Sequence, residues 1–196
     1  MLNQESTRLI ALMLETGLLQ FGSFDHNHAS VPFQLNLQWL PAYPDVLRAI
    51  VSAAQPMIDW QIIDRLVATP DAVPFGVALS LATDISLVYS RGLRVGPALD
   101  LVGAYDIGHT SLLLTNTISA NYPLQPIIAA ATQVGLEIQN VLAIVDQGTG
   151  SNLKGVQTQT LLSLPDVIQA MLVSGQIPKL QTQVVLNWID RQTTAD

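Results

Sequence analysis

The side chains of this chain that are best suited to binding a sugar or a phosphate follow the apolar run 112–114 and precede a helix predicted to start at Tyr122-Pro123. They are Thr115, Asn116, Thr117, Ser119, Ala120 and Asn121. Hydroxyl and amide groups bind sugar hydroxyls, and the unpaired backbone N–H groups of a helix start bind anions. This segment is therefore a candidate ligand-binding loop. The alternative is that residues 119–123 are only a capped helix start.

A second polar turn, Thr69-Pro70-Asp71, follows the predicted strand 65–68. The composition Thr-Pro-Asp is typical of a turn. The carboxylate of Asp71 would repel a bound anion, and more strongly out of water. The stretch 91–108 contains two cations, Arg91 and Arg94, and no Lys or His. These arginines are the candidate cations of the stretch. The simpler interpretation of Arg94 is a solvated turn residue, and that of the stretch is a hairpin.

A metal site is not expected. His26 and His28 stand two positions apart, as two ligands on one face of a strand would, but Asp25 is the nearest candidate for a third ligand. Polar loop residues are the simpler interpretation. The chain has no cysteine, which excludes disulfides, thiolate catalysis and cysteine-ligated metals.

Composition restricts the possible partners. The 196 residues carry a formal net charge of −7, with eight Lys and Arg against fifteen Asp and Glu. Nucleic-acid binding requires clustered cations, so we expect no nucleic-acid partner. Charges interrupt every long apolar run and no signal-peptide pattern is present, so we expect no membrane association and a cytoplasmic protein. Only 12% of residues are charged, which favours a self-interface.

Apolar periodicity predicts that strands and helices alternate along a single domain, 1–196. Predicted helices cover 2–19, 44–51, 74–82, 123–134, 165–173 and 180–189. Predicted strands cover 33–38, 65–68, 85–89, 99–105, 111–114, 141–145 and 156–162. Such alternation is typical of an α/β fold with a mostly parallel sheet that is covered on both faces.

Four segments, in order, resemble motifs of the type I phosphoribosyltransferases, and among these of orotate phosphoribosyltransferase. They are 22–38, 66–74 (similar to the pyrophosphate loop), 111–121 (similar to the ribose-phosphate loop) and 145–150 (similar to Asp-Arg-x-x-Gly after a buried strand). The resemblance implies a mostly parallel sheet flanked by helices, with a small hood subdomain. Residues 1–40 and part of the C-terminus correspond to the hood, and 41–178 to the core sheet. It also implies a homodimer.

The resemblance also shows where this chain departs from the family. Thr115 and Asn116 stand in place of an acidic pair, and Ser119-Ala120-Asn121 in place of Thr-Thr-Gly. Asn36 and Gln38 replace an Asp and an Arg, and the lysines of the family's mobile loop are missing. A carboxylate near a developing cation contributes several kcal/mol in a dry site, so losing the pair should remove much of the rate.

These departures lead to three hypotheses. The first is a catalytically silent relative that binds a phosphate-bearing or nucleotide-like molecule, or serves as an interaction subunit, and needs no cofactor. The second is an active orotate-type phosphoribosyltransferase of pyrimidine nucleotide synthesis with a rebuilt site. Arg91 and Arg94 would then take the leaving group, Thr115 and Asn116 the ribose, and Mg²⁺ would be required. The third is a structural subunit with a filled pocket, in which Tyr122 folds across the 115–121 segment.

Overall fold

The computed structural model describes residues 4–26, 29–95, 98–120, 122, 124–149, 153 and 155–193, with the backbone alone for 26, 29, 92–95 and 98–100. The helices in this part are α1 (Gln4–Glu15), α2 (Pro44–Ala54), α3 (Val73–Thr83), α4 (Gln125–Gln133), α5 (Leu164–Val173) and α6 (Lys179–Thr193). The strands are β1 (Leu19–His26), β2 (Ala29–Leu35), β3 (Arg65–Ala68), β4 (Leu87–Val95), β5 (Ala98–Val102), β6 (Thr110–Ile118), β7 (Glu137–Asp146) and β8 (Gln157–Ser163).

A six-stranded sheet forms the centre of the molecule, in the order β5-β4-β3-β6-β7-β8. All neighbouring strands are parallel except β4 and β5, which form an antiparallel hairpin. The predicted mostly parallel sheet is therefore confirmed, and the 91–108 stretch does contain a hairpin. The central strands read as continuous apolar runs because both of their faces are covered.

Side chains alternate between the two faces of this sheet. Leu112, Leu114 and Ile144 belong to the apolar core shared with α1, α2, α3, α5 and α6, whereas Leu113 and Ala143 belong to the core shared with α4. The sheet is thus flanked by helices on both faces, as predicted. This layering leaves the carboxyl ends of the parallel strands free to build a site.

A separate two-stranded antiparallel sheet, β1–β2, stands beside the central sheet. It packs against α6, where the rings of Phe33 and Trp188 meet edge to face with their centroids 5.2 Å apart. The backbone N–H of Asn36 donates to the carbonyl of Leu18, which fixes the end of the hairpin. This aromatic contact therefore joins the β1–β2 hairpin directly to α6.

The predicted strand 33–38 is wrong at its C-terminal end. β2 stops at Leu35, and a 3₁₀ helix, Leu37–Ala42, follows. Leu37 and Leu40 are buried, and this i, i+3 spacing suits a 3₁₀ turn. Trp39, which continued the apolar alternation in the sequence, is 48% exposed instead.

The boundaries around the candidate loop also differ from prediction. β6 continues to Ile118 because it stays paired with β7, with Thr115 opposite Ala143 and Thr117 opposite Val145. The residues 115–117 are thus strand residues and not loop residues. α4 begins at Gln125, later than the predicted start at 122–123.

Candidate ligand-binding site

Three turns meet at the carboxyl ends of β3, β6 and β7. They are the segments 69–71, 119–122 and 146–149. Neighbouring parallel strands end at the same edge of a sheet, so segments far apart in sequence come together there. The three sequence motifs that resemble phosphoribosyltransferase loops are therefore assembled at one place.

Asp71 is the centre of a hydrogen-bond network at this edge. Its Oδ1 accepts from Oγ1 of Thr69 at 2.7 Å and from the hydroxyl of Tyr122, also at 2.7 Å. Its carbonyl oxygen accepts from Nδ2 of Asn116 at 2.7 Å. The turn after β3 is thereby tied both to β6 and to the segment that follows β6.

Tyr122 is held as a hydrogen-bond donor. Its pKa is raised above the ordinary value, first because burial disfavours the phenolate and then because it donates to Asp71 and lies beside that negative charge. The phenol consequently keeps its proton to a higher pH than a tyrosine in the unfolded chain. Its side chain crosses from the turn after β6 to the turn after β3. The structural-subunit hypothesis predicts Tyr122 in such a position, but it also predicts a filled pocket, whereas a cavity remains beside the ring.

Thr115 and Asn116 are buried, with 0% and 3% of their surface exposed. Oγ1 of Thr115 donates to the carbonyl of Thr117 at 3.1 Å, and the amide of Asn116 holds Asp71 as described above. Their polar atoms therefore stabilise the sheet edge and do not face the cavity described below. Asn116 Oδ1 has no partner among the described residues.

The backbone donors that a phosphate would need are largely used by the protein itself. The N–H of Ala120 donates to Oγ1 of Thr149 at 2.9 Å, and the N–H of Tyr122 donates to the carbonyl of Ser119 at 3.2 Å. Asn121, which stands at the Gly position of the family's loop, lies outside the described residues. The candidate phosphate loop is thus closed by internal hydrogen bonds over its described part.

The turn after β7 supplies the hydroxyl that closes this loop. Gly148 has φ +77°, and its N–H donates to Oδ1 of Asp146 at 2.8 Å. A left-handed residue at this point reverses the chain at little steric cost only if it is glycine. Thr149, 4% exposed, is thereby aimed at Ala120.

A cavity of about 690 Å³ lies between the β1–β2 hairpin and the sheet edge. Its volume falls in the range of small-molecule sites. Of the sequence candidates, Thr117 and Ser119 line it, whereas Thr115 and Asn116 do not. Its lining residues are Ser23, Phe24, Asp25, Val31, Phe33, Gln34, Leu35, Asn36, Gln38, Thr117, Ser119, Tyr122, Gln147 and Trp188.

Of the two candidate cations, Arg91 is not part of the described cavity wall. Arg91 is exposed on β4 and is absent from the lining. The backbone of Arg94 lies in β4 opposite Leu99, so this residue is in a strand and not in a turn. The side chain of Arg94 lies outside the described part of the chain.

The described acidic residues do not form a cluster that could hold a metal ion by themselves. Mg²⁺ requires near-octahedral oxygen ligands, usually from carboxylates together with substrate phosphates. The described part of the chain contains no group of three or more His, Cys, Asp or Glu side chains that could hold a metal. Asp71 Oδ1 already accepts two hydroxyl donors. The side chain of His26 and all of His28 lie outside what is described.

Sequence reasoning missed several members of this site. Phe24 and Gln147 lie in the segments 22–38 and 145–150 but were not named as candidates, and Trp188 on α6 lies outside all four segments. The contact between Asp71 and Tyr122 joins residues 51 positions apart. Only the strand–turn–helix pattern around each segment indicated that the turns would meet.

Comparison with known proteins confirms the resemblance in sequence. No protein-family model matches the chain. It is 27% identical over 154 residues to a hypoxanthine/guanine phosphoribosyltransferase of Methanococcus maripaludis, covering 70% of this chain and 81% of the relative. It is 18% identical over 187 residues to an orotate phosphoribosyltransferase of Sulfolobus acidocaldarius, covering 92% and 95%.

Solved structures confirm the fold. A UMP synthase of Leishmania donovani superposes with a TM-score of 0.82 at 20% identity, covering 95% of this chain and 42% of the synthase. The chain therefore spans less than half the length of that protein. An orotate phosphoribosyltransferase of Aeropyrum pernix superposes with a TM-score of 0.75 at 15% identity, covering 84% and 98%. The chain has the α/β phosphoribosyltransferase fold that the motifs predicted.

Proposed function

We propose that this chain, which has the phosphoribosyltransferase fold, binds a small molecule without catalysing phosphoribosyl transfer. The observation that carries the proposal is the hydrogen bond between Tyr122 and Asp71. It places a carboxylate and a phenol ring in the turn where the resemblance locates the diphosphate. A diphosphate there would face a like charge and would have to displace the ring.

The burial of Thr115 and Asn116 supports the same proposal. The resemblance assigns these positions to the acidic pair that grips the ribose. Here both side chains are buried, and each is engaged with neighbouring backbone. A rebuilt transferase that used them to hold the ribose would first have to break these hydrogen bonds.

The cavity supports the proposal that the chain binds a small molecule. It lies beside the closed loop, and Thr117 and Ser119 present hydroxyls in its wall. A purely structural subunit has no need of such a space.

We further propose a cytoplasmic homodimer without a resident cofactor. No described helix has the length and apolar character needed to cross a membrane.

The direct test is an activity assay with purified protein, phosphoribosyl pyrophosphate and Mg²⁺. Orotate, hypoxanthine and guanine are offered in turn, and both pyrophosphate release and nucleotide formation are measured. We expect no turnover above the protein-free blank, with an active orotate phosphoribosyltransferase as the positive control. Formation of any of the three nucleotides would overturn the proposal in favour of an active transferase.

A thermal-shift series tests the alternative of an active transferase. A ligand that binds the native state raises the melting temperature by mass action. Ribose 5-phosphate, inorganic phosphate, orotate and phosphoribosyl pyrophosphate with Mg²⁺ are compared at equal concentration. A shift with phosphoribosyl pyrophosphate alone would support the transferase alternative.

A further inference from the structure

We infer that the cavity between the β1–β2 hairpin and the sheet edge selects an uncharged ligand that carries an N–H or O–H donor, and that it discriminates against phosphate and carboxylate groups. The inference rests on the proposed binding function and names the ligand class of that same site. It departs from the phosphate-bearing ligand that the sequence suggested. The charges, donors and acceptors of the cavity wall are the reasons.

The described part of the wall offers no cation to an anionic ligand. Among the described lining residues, Asp25 is the only one that is charged, and it is negative. An anion that leaves water for such a site loses its hydration without gaining a counter-charge, which is costly. Asp71 and Asp146, at the turns beside the cavity, add further negative charge to this edge of the sheet.

Backbone N–H groups do not compensate for the missing cations. An anion site at a strand–turn–helix junction depends on unpaired N–H groups. The N–H of Ala120 already donates to Oγ1 of Thr149, and the N–H of Tyr122 donates to the carbonyl of Ser119. Gln147 donates its N–H to the carbonyl of Ile118 at 3.0 Å. A bound phosphate would therefore have to replace existing hydrogen bonds.

Asn36 is a buried residue of the cavity wall whose side-chain oxygen has no hydrogen-bond partner among the described residues. It lines the cavity and is 1% exposed, and its Nδ2 donates to the carbonyl of Gly17 at 2.9 Å. Its Oδ1 has no hydrogen-bond partner in the described structure. A buried acceptor without a partner is uncommon, because it costs the desolvation of that atom. A ligand donor that reached this oxygen would satisfy it, whereas a phosphate or carboxylate group has only acceptors to offer.

The rest of the lining suits a neutral molecule. Gln34, Gln38 and Gln147 carry amides that both donate and accept, without charge. Phe24, Phe33 and Trp188 supply apolar surface. Amides combined with aromatic surface are typical of sites in which a few polar groups orient a largely apolar ligand.

Matched pairs of compounds test the inference. Uracil is compared with orotate, which adds a carboxylate to the same ring, and uridine with uridine 5′-monophosphate. Binding is followed by NMR on the indole N–H signals of the ¹⁵N-labelled full chain. Trp188 lines the cavity, whereas Trp39 and Trp60 do not, so the latter two are internal controls. We expect shifts at Trp188, with the neutral member of each pair binding at least about tenfold more tightly.

A charge variant provides an independent test. Gln38 is exposed at the cavity wall, so its replacement should leave the fold intact. Gln38→Arg would place a cation beside the ligand and should reduce the preference for the neutral member by about three- to tenfold. Gln38→Met, of similar length and without charge, is the matched control for the loss of the amide. A preference that falls as far in Gln38→Met as in Gln38→Arg would contradict the role of charge.

The outcomes separate the inference from the proposed function. If the anionic member of either pair binds at Trp188 as tightly as the neutral one, the inference is overturned and the binding function stands. If neither pair binds, a library of neutral, anionic and cationic fragments is tested in the same way, and the charge class of its hits at Trp188 decides. No hit in any class overturns both the inference and the proposed function.

Discussion

At the scale of single residues, the state of the site depends on the contact between Asp71 and Tyr122. A phenol that donates to a carboxylate makes a charge-assisted hydrogen bond, stronger than one between neutral groups. This contact holds the turn after β3 against the segment after β6. Asp is common in a Thr-Pro-Asp turn. Here the hydrogen bond from Tyr122 makes Asp71 a link between two turns that are distant in sequence.

Replacing Tyr122 by Phe should destabilise the protein by about 1–3 kcal/mol, because the change removes a donor to a charged acceptor in a half-buried site. Urea unfolding measures the loss. Tyr43→Phe is the matched control, since its hydroxyl has no hydrogen bond to another described residue. Equal stability of the Tyr122→Phe variant and the unaltered protein would show that the hydrogen bond is absent in solution.

The same hydroxyl predicts a dependence on alkaline pH. The pKa of Tyr122 is higher in the folded than in the unfolded chain, through burial and then Asp71. Between the unfolded value, about 10, and the folded one, the native state holds a proton that the unfolded state has lost. This contribution is therefore complete below about pH 10 and is lost as the pH rises further.

Unfolding free energies measured from pH 8 to about pH 11 check this dependence. The stability difference between the unaltered protein and Tyr122→Phe should shrink as the pH rises above about 10. The comparison cancels the other titrating groups, which the two proteins share. A difference that stays constant or grows over this range would contradict the assigned cause.

At the scale of elements, the turn after β7 decides whether the candidate phosphate loop is open. Thr149 reaches Ala120 because Gly148 adopts a left-handed backbone conformation directly after the strand. A Cβ at Gly148 would lie 2.7 Å from Cγ of Pro165, at the start of α5. The position is therefore restricted both by its dihedral angle and by its neighbour.

Gly148→Ala should cost about 1–2 kcal/mol for the left-handed conformation and about 1–3 kcal/mol more for the clash with Pro165. Gly155→Ala is the matched control. Gly155 has nearly the same φ, +78°, and a Cβ there would meet no atom of the described residues within 4 Å. Chemical denaturation of both variants isolates the clash. Equal losses would show that Pro165 gives way without cost.

At the scale of the whole molecule, the cavity exists because the β1–β2 hairpin is held over the edge of the central sheet. The edge-to-face contact between Phe33 and Trp188 joins this hairpin to α6. Both rings also line the cavity. One packing contact therefore supports the stability of the hairpin and the shape of the site together.

Trp188→Ala should destabilise the protein by about 2–4 kcal/mol, somewhat less than for a fully buried tryptophan. Trp39→Ala removes an equally large side chain that is 48% exposed, and it should cost less than about 1 kcal/mol. Thermal and urea unfolding compare the two variants. Similar losses for both would mean that α6 does not anchor the hairpin.

The homodimer remains a prediction, and α3 is the element on which we place it. A helix that is apolar on all faces is normally buried, yet α3 exposes Val77 by 45% and Leu81 by 79%. Sedimentation should give twice the chain mass of 21.1 kDa. Leu81→Glu should produce monomers, whereas Leu180→Glu, equally exposed on α6, should not. A monomeric unaltered protein would contradict the prediction.

Much of the fold was predictable from the sequence because it depends on local patterns. The continuous apolar run 141–145 identified a strand buried on both faces, and the alternation of strands with helices identified a mostly parallel sheet. The wrong secondary-structure predictions also came from local patterns. Leu37 and Leu40 belong to a 3₁₀ turn, but alternation alone made Leu37 look like a strand residue.

The sequence by itself determined which residue types occupy the candidate turns: a carboxylate at Asp71, uncharged side chains at Thr115 and Asn116, and no lysine between Arg91 and Gly108. Only the tertiary structure decided what these side chains do. Hydrogen-bond partners such as Asp71 and Tyr122 are 51 residues apart, and they meet because parallel strands end at one edge. In the same way, Thr115 is buried where β6 pairs with β7, whereas Thr117 on the same strand lines the cavity. The local sequence does not distinguish these two threonines.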